Sequence, residues 1–503
     1  MDWLQFSSDL NGLDTAIQQR KSKPIETAIL AQALYRQYEG LTTTQAVKHN
    51  LDAIAEGKAL TVTTGHQLCV LGGPAYFIYK IISTISLART IHARYPEQTI
   101  VPVFWMASED HDKEEIAHCY LQGKRFEWHT EQTGAVGRFT NEGIQPFIDE
   151  CRLALKNAGA EEGLIDIFKS AYNKSTLAAA TRDWVNTWFG DYGLVIIDAD
   201  DAELKLLFKD VMLDEVLHGR TFQAVNDTNG KLQKEGYTLQ VKPREINLFY
   251  LSASKRLRIE QDADIWITHD RSKLWSKAEI ALEIQEHPER FSPNVILRPL
   301  YQERILPNLA YVGGPGEIAY WLQLKSSFET HSIQFPVLLL RDSALIITPT
   351  MSKRMAKLGI TADELFEPKN ALLSSLINFD EGILDAEAEQ LKELYKQLSE
   401  KLAEVDQTLM AAAGSESKRA LDGLENLKSK LKKAIKVKQE VKVNQLNTLW
   451  SEAFPDGQQQ ERMANFFYLS AGKEHEVVQQ LIDVFNPLEN NLTILYIEPL
   501  PTV

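Results

Sequence analysis

Between about Leu60 and Leu358 the sequence alternates short apolar, β-branched runs with longer helical patterns, and that alternation leaves few folds open. The runs are ALTVTT, TIVPVFWM, GLVIID, FPVLLL and ALIIT. Runs of this kind separated by helical patterns predict βαβ units and a mostly parallel sheet, that is, an α/β fold. In such a sheet ligands bind outside the carboxyl ends of the strands. The residues that follow each run are therefore the first candidates for chemistry.

The texture changes after Leu384. Leu391, Tyr395, Leu398, Leu402, Val405 and Leu409 are spaced 4, 3, 4, 3 and 4 apart among Glu, Lys and Gln, which reads as a heptad seam. Gly414-Ser415 offers a helix stop followed by an N-cap. A second stripe follows with Leu424, Leu427, Leu431 and Ala434. The pattern predicts an antiparallel helical hairpin of about 30 residues per arm, roughly 45 Å long. It ends near AFPDG at 453–457, after which a last helix from ERMANFFYL onward and the apolar strand LTILYI return to the globular body.

The stretch TVTTGHQLCVLGGPAYFIYK at 61–80 puts Gly65, His66 and Gln67 at the end of a strand and Gly72-Gly73-Pro74 before a helix. It is neither a Walker A loop nor a GxGxxG turn. A helix start offers free N–H groups to an anion, Gly73 permits close backbone approach, and Pro74 suits the first helical turn. Tyr76 and Lys80 lie on the helix. A ligand loop and a plain connection with a solvated Lys80 are both open readings here.

The run VPVFWMASEDHDKEEI ends in Ser108, Glu109, Asp110, His111 and Asp112. Crowded carboxylates raise one another's pKa and supply a general base, or accept hydrogen bonds from an amine or sugar hydroxyls. Asp-His-Asp has residue types that suit a metal, but neighbours in sequence need ligands from elsewhere to surround one ion. An acidic helix N-terminus is the structural alternative. In NVILRPLYQERILPNLAYVGGPGEIAYWLQLK, at 294–325, a second Gly-Pro turn holds Gly313, Gly314 and Gly316, followed by Glu317, Tyr320 and Trp321. Arg298 suits either a substrate carboxylate or a structural ion pair.

A net charge of −15 argues against a general nucleic-acid surface. No apolar run approaches the roughly 18–20 residues that span a bilayer, and MDWLQFSSDL has no basic-then-apolar leader. A soluble cytoplasmic protein is expected, with neither nucleic acid nor membrane as partner. Cys69, Cys119 and Cys151 make no CxxC or other ligand spacing, which fits a reducing compartment. Cys69 reads as a small buried residue.

Taken together, TTGHQ-L-GGPAYFIYK, PVFWMASEDHDKEEI, REINLFYL, NVILRPLYQERILPNLAYVGGPGEIAYW and ERMANFFYL resemble the bacillithiol biosynthesis cysteine-adding enzymes, the cysteine ligase BshC family, over nearly the whole chain and in order. Where this chain has His66 other members carry glutamine, while Gly65 and Gln67 match. The resemblance implies a Rossmann-like nucleotidyltransferase-type core over 1–376 with inserted connecting segments at about 120–190 and 220–290. It further implies a coiled-coil hairpin over 377–452, a returning segment over 453–503, and a homodimer through the coiled coil.

The activity it implies is amide formation between cysteine and the amine of glucosaminyl malate, the last step of bacillithiol biosynthesis. Amide synthesis from a free acid is uphill in water, so ATP is expected to activate the cysteine carboxylate, with Mg2+ accompanying the nucleotide and no other metal. On this reading Glu109, Asp110 and His111 are catalytic, with Ser108 and Asp112 beside them on amine and hydroxyls. The turn at Gly73-Pro74 and Arg298 take carboxylates. A ligase of related fold acting on another amine and acid, or a coiled-coil scaffold without catalysis, are the alternatives.

Overall fold

The computed structural model describes residues 3–160, 162–376 and 382–498, in two compact units: 1–346 with 460–503, and 347–459. The boundary expected at 377 lies outside the described residues.

The first unit is built on a sheet of five strands: β1 (Ala59–His66), β2 (Thr99–Met106), β3 (Val195–Asp198), β4 (Asn308–Gly313) and β5 (Val337–Leu340). All four pairings are parallel and the order is β5-β4-β1-β2-β3. The chain builds outward from β1 through β2 to β3, then returns to β1's other edge for β4 and β5. A topological switch point therefore lies between β1 and β4, where a crevice opens at the strand ends. Every residue of β1 is buried. Helix α1 (Tyr76–Arg94) follows β1, and its buried set runs almost unbroken from Phe77 to Ala88, so it is core on most sides rather than a surface helix.

Two runs depart from the expected sheet. ALIIT does not join it: Ser343–Ile347 pairs instead with the C-terminal strand Leu492–Tyr496. The fifth strand of the sheet is instead NLAYVG, which is β4 and pairs with β1. The connection from β2 to β3 carries a small hairpin and the helices Ile144–Ala158, Glu162–Ala171 and Leu177–Phe189. The connection from β3 to β4 carries an antiparallel five-stranded sheet, among whose strands are Leu248–Leu251, Arg256–Asp262 and Phe291–Pro293. It ends in helix α2 (Arg298–Ile305), and α3 (Pro315–Trp321) follows β4. The segment after 460 is part of this core: Asn465 Nδ2 donates to the carbonyls of Leu71 and Gly73, at 2.8 and 2.9 Å.

In the second unit, α4 (Asp385–Ala403) and α5 (Leu409–Lys438) form a hairpin, with Lys428 donating to Asp385 at 3.1 Å across it, and α6 (Glu440–Ala453) follows. The arms are unequal, 19 and 30 residues. The turn falls at 404–408, where the Asp406 carboxylate accepts from Thr408 N at 2.9 Å and Oγ1 at 2.8 Å. The helix stop expected at Gly414-Ser415 is absent, because α5 runs through both and Ser415 Oγ donates back to Ala411 O at 3.0 Å. Val405 thereby leaves the seam for the turn and is 83% exposed. Leu427 faces solvent, while Leu431 and Ile435 pack toward Val443. Helix α6 stops at Ala453, before the Pro455–Gly457 turn.

Candidate active site

A cavity of about 730 Å3 opens at the switch point. The end of β1 contributes Gly65, His66 and Gln67 to its wall, α1 contributes Tyr76 and Lys80, and the residues after β2 contribute Glu109 and Asp110. Arg298 enters from α2, and Gly314, Gly316, Glu317 and Tyr320 from the turn after β4 and α3. The two Gly-containing strand ends thus meet on one sheet edge.

Lys80 is buried and committed. Its Nζ donates to the Gly65 carbonyl at 2.8 Å and pairs with the Glu317 carboxylate. Glu317 also accepts from Tyr311 OH at 2.7 Å and from Gly314 N at 2.8 Å. Burial alone would raise its carboxyl, but the Lys80 ammonium and these hydrogen bonds hold it down at about 2. His66 sits against Tyr76 and Phe77 with Nδ1 2.9 Å from the Gln67 carbonyl, so that nitrogen carries the proton and donates. Burial, reinforced by Lys80, pushes the imidazole down to about 3, and the ring is neutral.

The acidic cluster splits by direction. Asp110 accepts from Gln67 Nε2 at 2.8 Å and from His111 N at 2.8 Å, and Arg256 stands 3.5 Å away. Burial opposes ionisation there, yet the bonds from His111 and Gln67 and the Arg256 charge hold the carboxyl well below the usual range. Glu109 goes the other way: burial raises it, although Lys205 Nζ lies 2.6 Å off. Ser108 Oγ donates to Asp198 at the end of β3. Asp112 caps the short helix Lys113–Ile116, accepting from Glu115 N at 3.2 Å, as an acidic helix start does. His111 is half exposed, beside Arg256 Nη1 at 3.2 Å. Ser108, His111 and Asp112 are not part of the cavity wall. Among the described residues no group of three His, Cys, Asp or Glu is placed to hold a metal.

Gly73 and Pro74 also lie off the wall. Gly73 has φ +52°, and a Cβ there would come within 2.5 Å of Cys69 Cβ, so packing requires this glycine. The amide of Ala75, which would face an anion, already donates to Ala464 O at 2.8 Å. Cys69 is buried and its thiol is pushed up by that burial, so it stays protonated.

Arg298 has a different character. Nη1 donates to Gln302 Oε1 at 3.1 Å and Nη2 to Tyr320 OH at 2.9 Å, both neutral acceptors. Among the described residues no carboxylate oxygen lies within 4.0 Å of it. Sequence reasoning missed Lys242, Arg244, Arg256, Arg341 and Arg462, which also line the cavity. Arg256 is wedged over the Phe249 ring at 4.0 Å, with Nε on Ser292 Oγ at 3.1 Å and Nη2 on Pro293 O at 2.9 Å. Arg341 follows β5 as Glu109 follows β2, so the strand-end rule would have found it. The other four lie in insert and C-terminal segments that give no such signal. The wall holds seven cationic side chains against four carboxylates in a chain of net charge −15, a local excess of positive charge, although Lys80 is paired with Glu317 and Arg341 with the buried Glu461.

The parallel sheet with its switch-point cavity and the helical hairpin define a Rossmann-like α/β protein that carries a coiled coil. Residues 5–342 match the family description "Bacillithiol biosynthesis BshC, N-terminal Rossmann-like domain", and residues 344–497 match "Bacillithiol biosynthesis BshC, C-terminal coiled-coil domain". The chain belongs to the bacillithiol biosynthesis BshC family. It is 40% identical to the "Putative cysteine ligase BshC" of Flavobacterium johnsoniae over 93% of this chain and 89% of that protein. It is 38% identical to the protein of that name from Cytophaga hutchinsonii, over 97% and 92%, and 31% identical to that from Salinibacter ruber, over 89% and 84%. The resemblance read from the motifs is thereby shown, as is the Rossmann-like and coiled-coil architecture. No described helix is long and apolar enough to cross a membrane.

Proposed function

We propose that this protein is a cysteine ligase that joins the carboxyl of cysteine to the amine of glucosaminyl malate, forming an amide in the last step of bacillithiol biosynthesis. The observation that carries the reading is Arg298, a guanidinium at the switch point held by two neutral acceptors, with its charge left for a ligand. A malate carboxylate matches its planar fork. The exposed Lys242, Arg244 and Arg462 add positive charge suited to a nucleotide's phosphates. ATP, with Mg2+, is the cosubstrate that makes the cysteine carboxyl electrophilic, as an acyl-adenylate or acyl-phosphate.

Attack then requires an unprotonated amine. Glu109, whose carboxyl burial raises, suits proton removal; Asp110, held ionised, suits orienting Gln67 and Arg256. The relatives' printed names support the ligase class. Incubating purified protein with glucosaminyl malate, cysteine and ATP should give the cysteinyl product by mass spectrometry, together with AMP or ADP. Absence of that product with folded protein and all three substrates present would overturn the reading.

A further inference from the structure

We infer that Gln302 and Glu303 form a buried relay that positions the guanidinium of Arg298 in the cavity. The inference rests on the reading that Arg298 receives an anionic group of the substrate. A side-chain amide is nearly symmetric in shape, so only its hydrogen bonds decide which end faces Arg298. Gln302 Nε2 donates to Glu303 Oε1 at 2.8 Å, which turns Gln302 Oε1 toward Arg298 Nη1. The flipped amide would set N–H against guanidinium and oxygen against carboxylate.

Glu303 is oriented in turn. Its Oε1 also accepts from Asn308 Nδ2 at 2.7 Å, and Asn308 Oδ1 accepts from Thr61 Oγ1 at 3.1 Å and Thr63 Oγ1 at 2.8 Å on β1. Gln302, Glu303 and Asn308 are all fully buried. Glu303 also faces the buried Arg20, so its loss costs stability as well as orientation, and Gln302→Met is the variant that separates the two. Burial raises Glu303 to about 7, with Arg20 Nη2 3.9 Å away working against the rise. Glu303 Oε2 has no hydrogen bond among the described residues, while Oε1 receives both amides. The oxygen that is bonded is the one that fixes Gln302.

Gln302→Met keeps length and volume and removes both polar ends, and Glu303→Leu removes the acceptor that orients Gln302. Each should raise KM for glucosaminyl malate about tenfold while kcat stays within about twofold, and neither should raise KM further in an Arg298→Ala background. An unchanged KM, or the same tenfold rise in that background, would overturn the relay, as either result means that the pair acts elsewhere. A crystal structure of whichever variant folds should show the Arg298 guanidinium displaced from Tyr320 OH, and a guanidinium still in place overturns the relay too. If the wild-type protein makes no cysteinyl product, the ligase reading falls while the crystal structures still judge the relay.

Discussion

Lys80 and Glu317 reach the carboxyl end of β1 from two helices, α1 and α3, and form an ion pair whose lysine side chain is 5% exposed. The pair ties β1 to the turn after β4 and fixes the floor of the switch point. Burial lowers the affinity of Lys80 for its proton and Glu317 restores part of it, so each group depends on the other.

Removing one partner leaves the other charge buried and uncompensated. Lys80→Met is therefore expected to destabilise the protein by roughly 3–5 kcal/mol, and adding Glu317→Gln should recover much of that loss. Chemical denaturation of the wild type, both single variants and the double variant measures this. A Lys80→Met midpoint equal to wild type would mean that the lysine is not structural.

His66 should make stability depend on pH. Its folded value near 3 lies below the usual histidine value of 6.5, so between these pH values the unfolded chain binds the proton and the folded one does not. Stability from this group is full above pH 6.5 and is lost progressively as pH falls toward 3. Between pH 7.5 and 5 the wild type should lose roughly 2 kcal/mol more than His66→Gln. Parallel urea curves at the two pH values decide it, and identical losses would show that the ring takes up its proton as readily in the fold as in the unfolded chain.

Glu109 and Asp110, neighbours in sequence, should behave differently. Glu109→Gln is expected to lower kcat by about two orders of magnitude, as general-base loss does. Asp110→Asn releases Arg256 and Gln67, and its effect of about tenfold should fall mainly on KM, which is how loss of ground-state positioning reads. His111→Ala should cost less than either. Steady-state kinetics with glucosaminyl malate varied tests the split, and equal kcat losses at 109 and 110 would defeat it.

The sheet was legible where strand runs are long and apolar, at β1 and β2, because burial on both faces leaves a continuous signal. NLAYVG escaped because it runs without a break into GGPGE, which reads as turn. ALIIT misled for the converse reason: an apolar run of five shows that it is buried, not which sheet buries it. In the hairpin, Gly414 was a false stop. A glycine in a helix costs about 1 kcal/mol, which packing along a 30-residue arm outweighs. Most of the cavity's strand-end residues were legible from position alone. The direction of a side chain was not: Asp110 faces the cavity while Asp112 caps a helix two residues later. Arg256 comes from a hairpin strand whose sequence, SASKRLRIE, reads as a solvated face.

The hairpin should mediate self-association. Leu394, Leu398 and Leu402 stand at i, i+4 and i+8 on α4 and are 51%, 41% and 37% exposed, an apolar stripe that the hairpin itself leaves wet. A homodimer that buries this stripe is expected. Light scattering should report a dimer for the full chain and a monomer for a chain lacking 385–450. A dimer in both would move the interface to the first unit.

The two glycines flanking the β1 loop separate folding from binding. At Gly73 the backbone has φ +52° and an added Cβ would meet Cys69 Cβ at 2.5 Å. Gly73→Val should then cost about 3 kcal/mol or more through strain and overpacking. Substrate affinity of whatever folds should be unchanged, since Gly73 is off the wall. At Gly65 the added Cβ would lie 3.5 Å from Tyr311 OH and 3.6 Å from Arg298 Nη1, ordinary contact distances. Gly65→Ala should therefore fold with a change of about 0.5 kcal/mol or less. Its methyl would stand beside the Arg298 guanidinium, and affinity for glucosaminyl malate should fall about tenfold, roughly 1.4 kcal/mol. Thermal denaturation and calorimetric titration of both variants give the four values needed. Weakened binding at Gly73 with normal stability, and the reverse at Gly65, would place the ligand on the Gly-Pro turn of α1 instead of at the end of β1.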